Sequence, residues 1–389
     1  MIQASQGFQS NRTIMLSMMI GAVGILILGI QPLLLGALLN AGKINAVELG
    51  WIATVEVLGM ALGVWIGARL MAGSQGKRIA VAACLLMALA NAITPSADTV
   101  MTIAWARSLA GLAEGAMIAV SILTISHGAA PARLNAIYLT AGATPQLVFA
   151  YLLPVKVFPV YGVESGFYIL AGVGLLSAAL AVVIRDRLAP EPEEAGGRVA
   201  WTPKVVLALA ATLVTASAIG ACWSYAEPMG ARQGLTTASV GVAITISLAF
   251  QIIGSLVVAL VGYRLPFRLV LPGGVIVQAA AVMTLIAIPG IVGFSFGLAV
   301  FGFCWQACLP FAMDLVIEAD ASRMTAPLVM PLTLAGLSMG PLIASALVGA
   351  SVIGAFVFGI AAFVTAAGLY LFIFRPGSAP PVRLASLDG

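Results

Sequence analysis

The sequence predicts an all-α membrane protein of twelve transmembrane helices in two pseudo-symmetric six-helix bundles. Three observations carry that prediction. The first is composition: 61% of the 389 residues are hydrophobic and 8% are charged, where a soluble domain carries about 25% charged residues. The second is the recurrence, about twelve times, of apolar runs long enough to cross a bilayer at 1.5 Å rise per residue. The third is one polar linker, Arg185–Lys204, with Pro190, Pro192, Gly196 and Gly197 and the acids Glu191, Glu193 and Glu194. It divides the runs six and six. The expected organisation is a first bundle over 1–184, a cytoplasmic linker over 185–204, and a second bundle over 205–389 with a short cytoplasmic tail.

The first run, Thr13–Leu39, is too long for a signal-peptide core and lacks a small-residue cleavage site, so it reads as the first span. The others follow at Val47–Leu70, Ile79–Thr94, Thr99–Ile125, Asn135–Val155, Phe167–Ile184, Val205–Glu227, Val240–Gly262, Leu269–Ile288, Ile291–Met313, Pro327–Ala350 and Val352–Phe374. Pro95–Asp98 separates the third from the fourth, and Pro289–Gly290 the ninth from the tenth. With the N-terminus in the cytoplasm, Arg12, Arg69, Lys77, Arg78, Arg133, Arg185, Arg187, Arg198, Lys204, Arg264, Arg268, Arg323, Arg375 and Arg383 all lie inside. Only Lys43, Lys156 and Arg232 lie outside. That bias sets both termini in the cytoplasm. The expected location is a bacterial-type inner (plasma) membrane. The net charge of +4 concerns topology and lipid contact, not nucleic acid.

The two halves repeat weakly and in order. Gln31–Pro32 lies late in the first span and Glu227–Pro228 ends the seventh. Arg69–Leu70 ends the second and Arg264–Leu265 follows the eighth. Trp105 in the fourth pairs with Trp305 in the tenth, and Arg133 opens the fifth as Arg323 opens the eleventh. A duplicated six-span unit joined by a cytoplasmic linker is a transporter layout.

Charges inside the runs are the candidate functional groups. Arg107 and Glu114 sit in the fourth, where a charge at the helix centre costs roughly 2.5–3.5 kcal/mol on insertion scales. Seven positions apart, they share a helix face but stand about 10 Å apart, too far for a direct bridge. Each therefore needs another partner or a wet cavity. Gly111 and Gly115 on the same helix let a neighbouring backbone come close. Cys84, Cys222, Cys304 and Cys308 all fall in apolar runs and imply no disulfide framework. Cys304 and Cys308 share a face, but His127 is the one histidine of the chain, so they read as packing residues and no metal or cofactor is expected. Gly76–Lys77 is not a phosphate-binding loop. Met71 stands where its first glycine belongs and Arg78 where its Ser/Thr belongs, so ATP drive is not expected.

The layout resembles the major facilitator superfamily over the whole chain. Arg107, Gly111 and Gly115 resemble that family's fourth-helix Arg/Gly motif, linked to proton coupling and substrate handling. Gly67 and Gly76–Lys77–Arg78 resemble the glycine and basic ends of its signature loop, without the acid between them: Met71, Ala72 and Gly73 occupy that region. Span five has Gly142 and Pro145 but not the full fifth-helix motif of drug antiporters.

The resemblance implies that span two packs near span four, making Glu56 the best partner for Arg107. Glu114 has no obvious basic partner. A carboxyl withdrawn from water can exchange a proton near neutral pH, so Glu114 is the first candidate proton carrier and Glu56 the second. The resemblance also implies a cavity lined by spans one, four, seven and ten, with Gln31, Arg107, Trp223, Tyr225, Trp305 and Gln306 as candidate substrate contacts, and Gln146 and Tyr151 of span five beside them. One Arg among aromatic walls suits a small organic anion. Asp314, Glu318 and His127 read as cytoplasmic-end surface groups.

The expected function is alternating-access, proton-coupled uptake of a small organic anion by a monomer in contact with lipid. Proton-driven efflux of an amphiphilic or drug-like compound is the alternative. A membrane enzyme acting on lipid would need clustered His, Asp or Cys near the headgroups, which this chain lacks.

Overall fold

The computed structural model describes residues 10–71, 75–126, 131–185, 188, 201–261, 264–320, 325, 328–349 and 351–375. His127, Arg323, most of the linker and the C-terminal tail lie outside the described residues.

Among the described residues, twelve helices are long and apolar enough to cross a membrane: Asn11–Asn40, Ala46–Met71, Gly76–Ser96, Val100–Ser126, Ile137–Tyr161, Glu164–Ala181, Pro203–Ser224, Thr237–Val261, Phe267–Ala287, Ile291–Ala319, Val329–Leu347 and Ile353–Ile373. They are numbered spans 1 to 12 below. Each lies within a few residues of an apolar run in the sequence. Spans 1 to 6 pack mainly on one another, as do spans 7 to 12, giving two six-helix bundles. The bundles meet through spans 2 and 11, 5 and 8, and 1 and 7.

In lipid there is little hydrophobic gain from pressing two apolar helices together, so small residues and buried hydrogen bonds decide which helices touch. Spans 2 and 4 make the closest approach in the first bundle. A Cβ on Gly111 would overlap the carbonyl of Glu56, and one on Gly115 the carbonyl of Met60. In the second bundle, a Cβ on Gly340 of span 11 would overlap the carbonyl of Ser217 of span 7.

Spans 1 and 7 are both broken, and each carries a proline beyond its break. Span 1 turns at Ile25 between helices Asn11–Gly24 and Leu26–Asn40. Pro32 has no N–H, so the carbonyl of Leu28 loses its helical partner. The indole Nε1 of Trp223, from the other bundle, donates to it at 2.7 Å. Span 7 turns at Tyr225, and Ala226–Arg232 continues beyond it with Pro228 in its first turn.

Five side-chain hydrogen bonds join described residues of the two bundles, from the middle of the helices to the end opposite the linker. These are Trp223 to Leu28, Ser224 to Gln31, Thr54 to the carbonyl of Ser338, Tyr225 to the carbonyl of Ala46, and Asn40 to Glu227. At the linker end, Glu318 pairs with Lys204 at 2.9 Å and Arg268 at 3.3 Å, all on the second bundle's side.

Candidate functional site

Three of the buried charged residues, Glu56, Arg107 and Glu114, lie together in the first bundle, while Glu227 and Asp320 are buried in the second. Spans 2 and 4 approach closely because Gly111 packs on the backbone of Glu56, and that approach sets Glu56 against Arg107. Arg107 Nη1 lies 3.2 Å from Glu56 Oε1, with both side chains shielded from solvent. Both guanidinium Nη atoms donate to Asn91 Oδ1 of span 3, at 3.2 and 3.1 Å. Asn91 is oriented in turn by its own donation to the Met87 carbonyl at 2.9 Å. The Phe167 ring of span 6 lies 5.4 Å from the guanidinium carbon, a cation–π contact.

On its other side Glu56 accepts a 2.8 Å hydrogen bond from Gln31 Nε2 of span 1. Gln31 Oε1 accepts from the Ser224 hydroxyl of span 7 at 3.3 Å. A single line of polar contacts therefore runs Asn91, Arg107, Glu56, Gln31, Ser224, from inside the first bundle to the broken helix of the second.

Glu114 sits two turns along span 4 from Arg107. It is fully buried, neither carboxyl oxygen has a hydrogen-bond partner, and it lies within electrostatic reach of Glu56 and Arg107. An isolated carboxylate in such a place is strongly disfavoured, whereas the protonated acid is tolerable.

The remaining sequence candidates are placed as follows in this conformation. Trp223 is bolted to Leu28 and packs edge-on against Trp305, with centroids 5.6 Å apart. Tyr225 is fully buried and holds the Ala46 carbonyl at 2.8 Å, away from the charged line. Gln146 donates to the Ile25 carbonyl at 2.8 Å and so supports the break in span 1. Gln306 is half-buried and Tyr151 exposed. Asp314 is exposed at the linker end.

The Trp105–Trp305 match does not hold in register. Trp105 lies five residues beyond Val100, is 65% exposed and faces away from the bundle, while Trp305 lies fourteen beyond Ile291 and packs inside.

Sequence reasoning missed Asn91, Phe167 and Ser224. Asn91 carried a signal, since a lone amide in an apolar run needs a partner. Ser224 and Phe167 carried none.

A sequence profile of the Major Facilitator Superfamily matches residues 12–326. The chain belongs to the major facilitator superfamily. Comparison with curated proteins finds no match. Solved structures share the superfamily's fold with it. Crystal structures of the nucleoside transporter NupG, one of them of a point mutant, align at TM-scores of 0.78 and 0.77 with 10% identity, over 94% of this chain and 100% of theirs. A bacterial homologue of the human lysosomal transporter Spinster, in an inward-facing, unoccupied conformation, aligns at 0.69 with 11% identity, over 94% and 98%. At that identity the likeness is one of fold. As a superfamily member, the chain is an integral multi-pass membrane transporter of a small molecule.

Proposed function

We propose that the protein is a proton-coupled secondary transporter that takes up a small organic solute by alternating access. The observation that carries this reading is the unpartnered buried Glu114 beside the Glu56–Arg107 pair, whose far side reaches Ser224 of the other bundle. A proton arriving at this cluster removes negative charge from Glu56 or Glu114. On Glu56 it weakens the attraction to Arg107 and changes the carboxyl's bonding to Gln31, so the link to Ser224 loosens. Proton occupancy is then tied to the junction of spans 1 and 7, where the bundles are joined.

The Lys/Arg bias supports a cytoplasmic linker end and cytoplasmic termini. With that orientation the cross-bundle bonds close the outer side. The bundles are taken as 1–184 and 205–389, joined by 185–204. Symport, as opposed to proton-driven efflux, rests on the incomplete fifth-span antiporter motif.

A second reading, recognition of an organic anion by Arg107, is favoured by one observation: Arg107 Nε is buried without a hydrogen bond. Protonation of Glu56 would release the guanidinium to a substrate carboxylate, with the bidentate geometry that Arg offers.

The test is uptake into proteoliposomes under an imposed pH gradient, with neutral and carboxylate solutes. Glu114→Gln should abolish accumulation while leaving exchange at equal pH intact, since exchange moves no net proton. Normal accumulation in both Glu114→Gln and Glu56→Gln would remove the coupling role from this cluster.

A further inference from the structure

The hydrogen bonds of Arg107 do not go to its counter-charge. Glu56 Oε1 lies 3.2 Å from Nη1 in a site shielded from solvent, yet that oxygen accepts no hydrogen bond. Both Nη atoms donate instead to Asn91 Oδ1, at 3.2 and 3.1 Å. Bonds with an ionised acceptor are the stronger ones, so an unrestrained guanidinium would turn its donors to the carboxylate. Something holds it off.

Asn91 is fitted to do so. It is fully buried in span 3, and its Nδ2 is committed to the Met87 carbonyl at 2.9 Å, which leaves Oδ1 toward Arg107. The Phe167 ring of span 6 lies 5.4 Å from the guanidinium carbon. Neither an amide nor a phenyl ring titrates, so this hold on the cation is the same whether or not Glu56 carries a proton. Besides Arg107, the ionisable groups on the elements packed against span 2 are Glu114 on span 4, Lys77, Arg78 and Cys84 on span 3, Lys204 and Cys222 on span 7, and Tyr225 at the break. Lys77, Arg78 and Lys204 stand at the linker end. The outer half of span 1, Leu26–Asn40, and span 11 carry none.

We propose that Asn91 is a positioning residue for proton coupling. By taking the hydrogen bonds of Arg107 it withholds them from Glu56, which keeps that carboxyl open to a proton. It also keeps the cation in place inside the first bundle when the proton arrives. The change on protonation then falls on the other side of Glu56, where Gln31 leads to Ser224 of the second bundle. Without Asn91, the freed N–H groups turn to the nearest acceptor, Glu56 Oε1. Hydrogen bonds to a carboxylate favour its ionised form, so the proton has to displace a stronger pair. The junction should then respond only at lower pH. The inference rests on the proton-coupled reading, and it is independent of an anion at Arg107.

The test uses the full-length protein with spin labels on Ser96→Cys and Thr236→Cys, exposed positions on different bundles at the end opposite the linker, and the native cysteines replaced. The label separation is followed against pH. Asn91→Val, apolar and close to asparagine in size, should move the midpoint of that profile toward acid by about one pH unit or more. Asn91→Ala serves if the valine variant does not fold. In a Glu56→Gln background Asn91→Val should leave the profile where Glu56→Gln alone puts it, because no carboxylate remains at 56 to receive the freed donors. A pH-responsive parent with an unmoved or alkaline-shifted midpoint in the Asn91 variant would overturn the proposal alone. So would an acid shift that persists in the Glu56→Gln background. A parent whose separation ignores pH would overturn the coupling reading and this proposal with it.

Discussion

Removal of Arg107 separates a structural ion pair from a working one. In Arg107→Ala, Glu56 keeps its bond from Gln31 but loses the guanidinium beside it, in a place with no solvent exposure. Breaking a buried pair by deleting one partner costs about 3–5 kcal/mol. Asn91 also loses its acceptor role toward the guanidinium. At about 2–4 °C per kcal/mol for folding units of 150–250 residues, the variant should melt on the order of 10 °C lower. Glu56→Gln combined with Arg107→Ala removes both charges and should return most of that loss. The four cysteines Cys84, Cys222, Cys304 and Cys308 are free and buried, so a thiol-reactive dye reports unfolding directly. The same three proteins would be assayed for gradient-driven uptake. Stability should return in the double variant and uptake should not. A double variant as unstable as the single one would refute the charge argument. Normal uptake in a stable double variant would make the pair structural only.

Other consequences are as direct. Gly111→Ala puts a Cβ against the Glu56 carbonyl and should cost at least about 1–3 kcal/mol as spans 2 and 4 separate; an unchanged melting temperature would deny the close approach. Trp223→Phe leaves the Leu28 carbonyl without a donor, at about 1–3 kcal/mol for a buried orphan, and should be matched by faster labelling of a cysteine placed at Thr54; equal labelling would remove the bolt from the closure. Cysteines at Trp201 and Thr236, both exposed, should react with an impermeant thiol reagent from the inside and the outside of the cell respectively; the reverse pattern would invert the topology.

The sequence made the architecture legible because a membrane imposes it. Apolar length, Lys/Arg bias and one polar linker leave few alternatives. The Glu56–Arg107 pair was legible through the superfamily resemblance, which implied that span 2 packs near span 4, and through the cost of leaving either charge alone in an apolar run. It did not reveal what Ser224 and Phe167 touch, because a serine or phenylalanine in an apolar helix is unremarkable until its face is known. Trp105 and Trp305 show the opposite error: two residues recur in order along the chain, yet nine positions of register separate them within their helices. Trp223, Tyr225 and Gln146 were visible as polar or aromatic groups near helix breaks. Their engagement with the carbonyls of Leu28, Ala46 and Ile25 depends on which helices meet, which composition does not encode.

The central claim is that protons on the Glu56–Glu114 cluster control the closure between the bundles. Spin labels on Ser96→Cys and Thr236→Cys, exposed positions on different bundles at the end opposite the linker, would measure that closure in a background with the native cysteines replaced. Their separation, read by pulsed electron–electron resonance, should lengthen from mildly alkaline to mildly acidic pH in the parent. In the Glu56→Gln, Glu114→Gln double variant it should stay at the acid-pH distribution throughout. A parent distance that ignores pH, or a double variant that follows pH as the parent does, would contradict the claim.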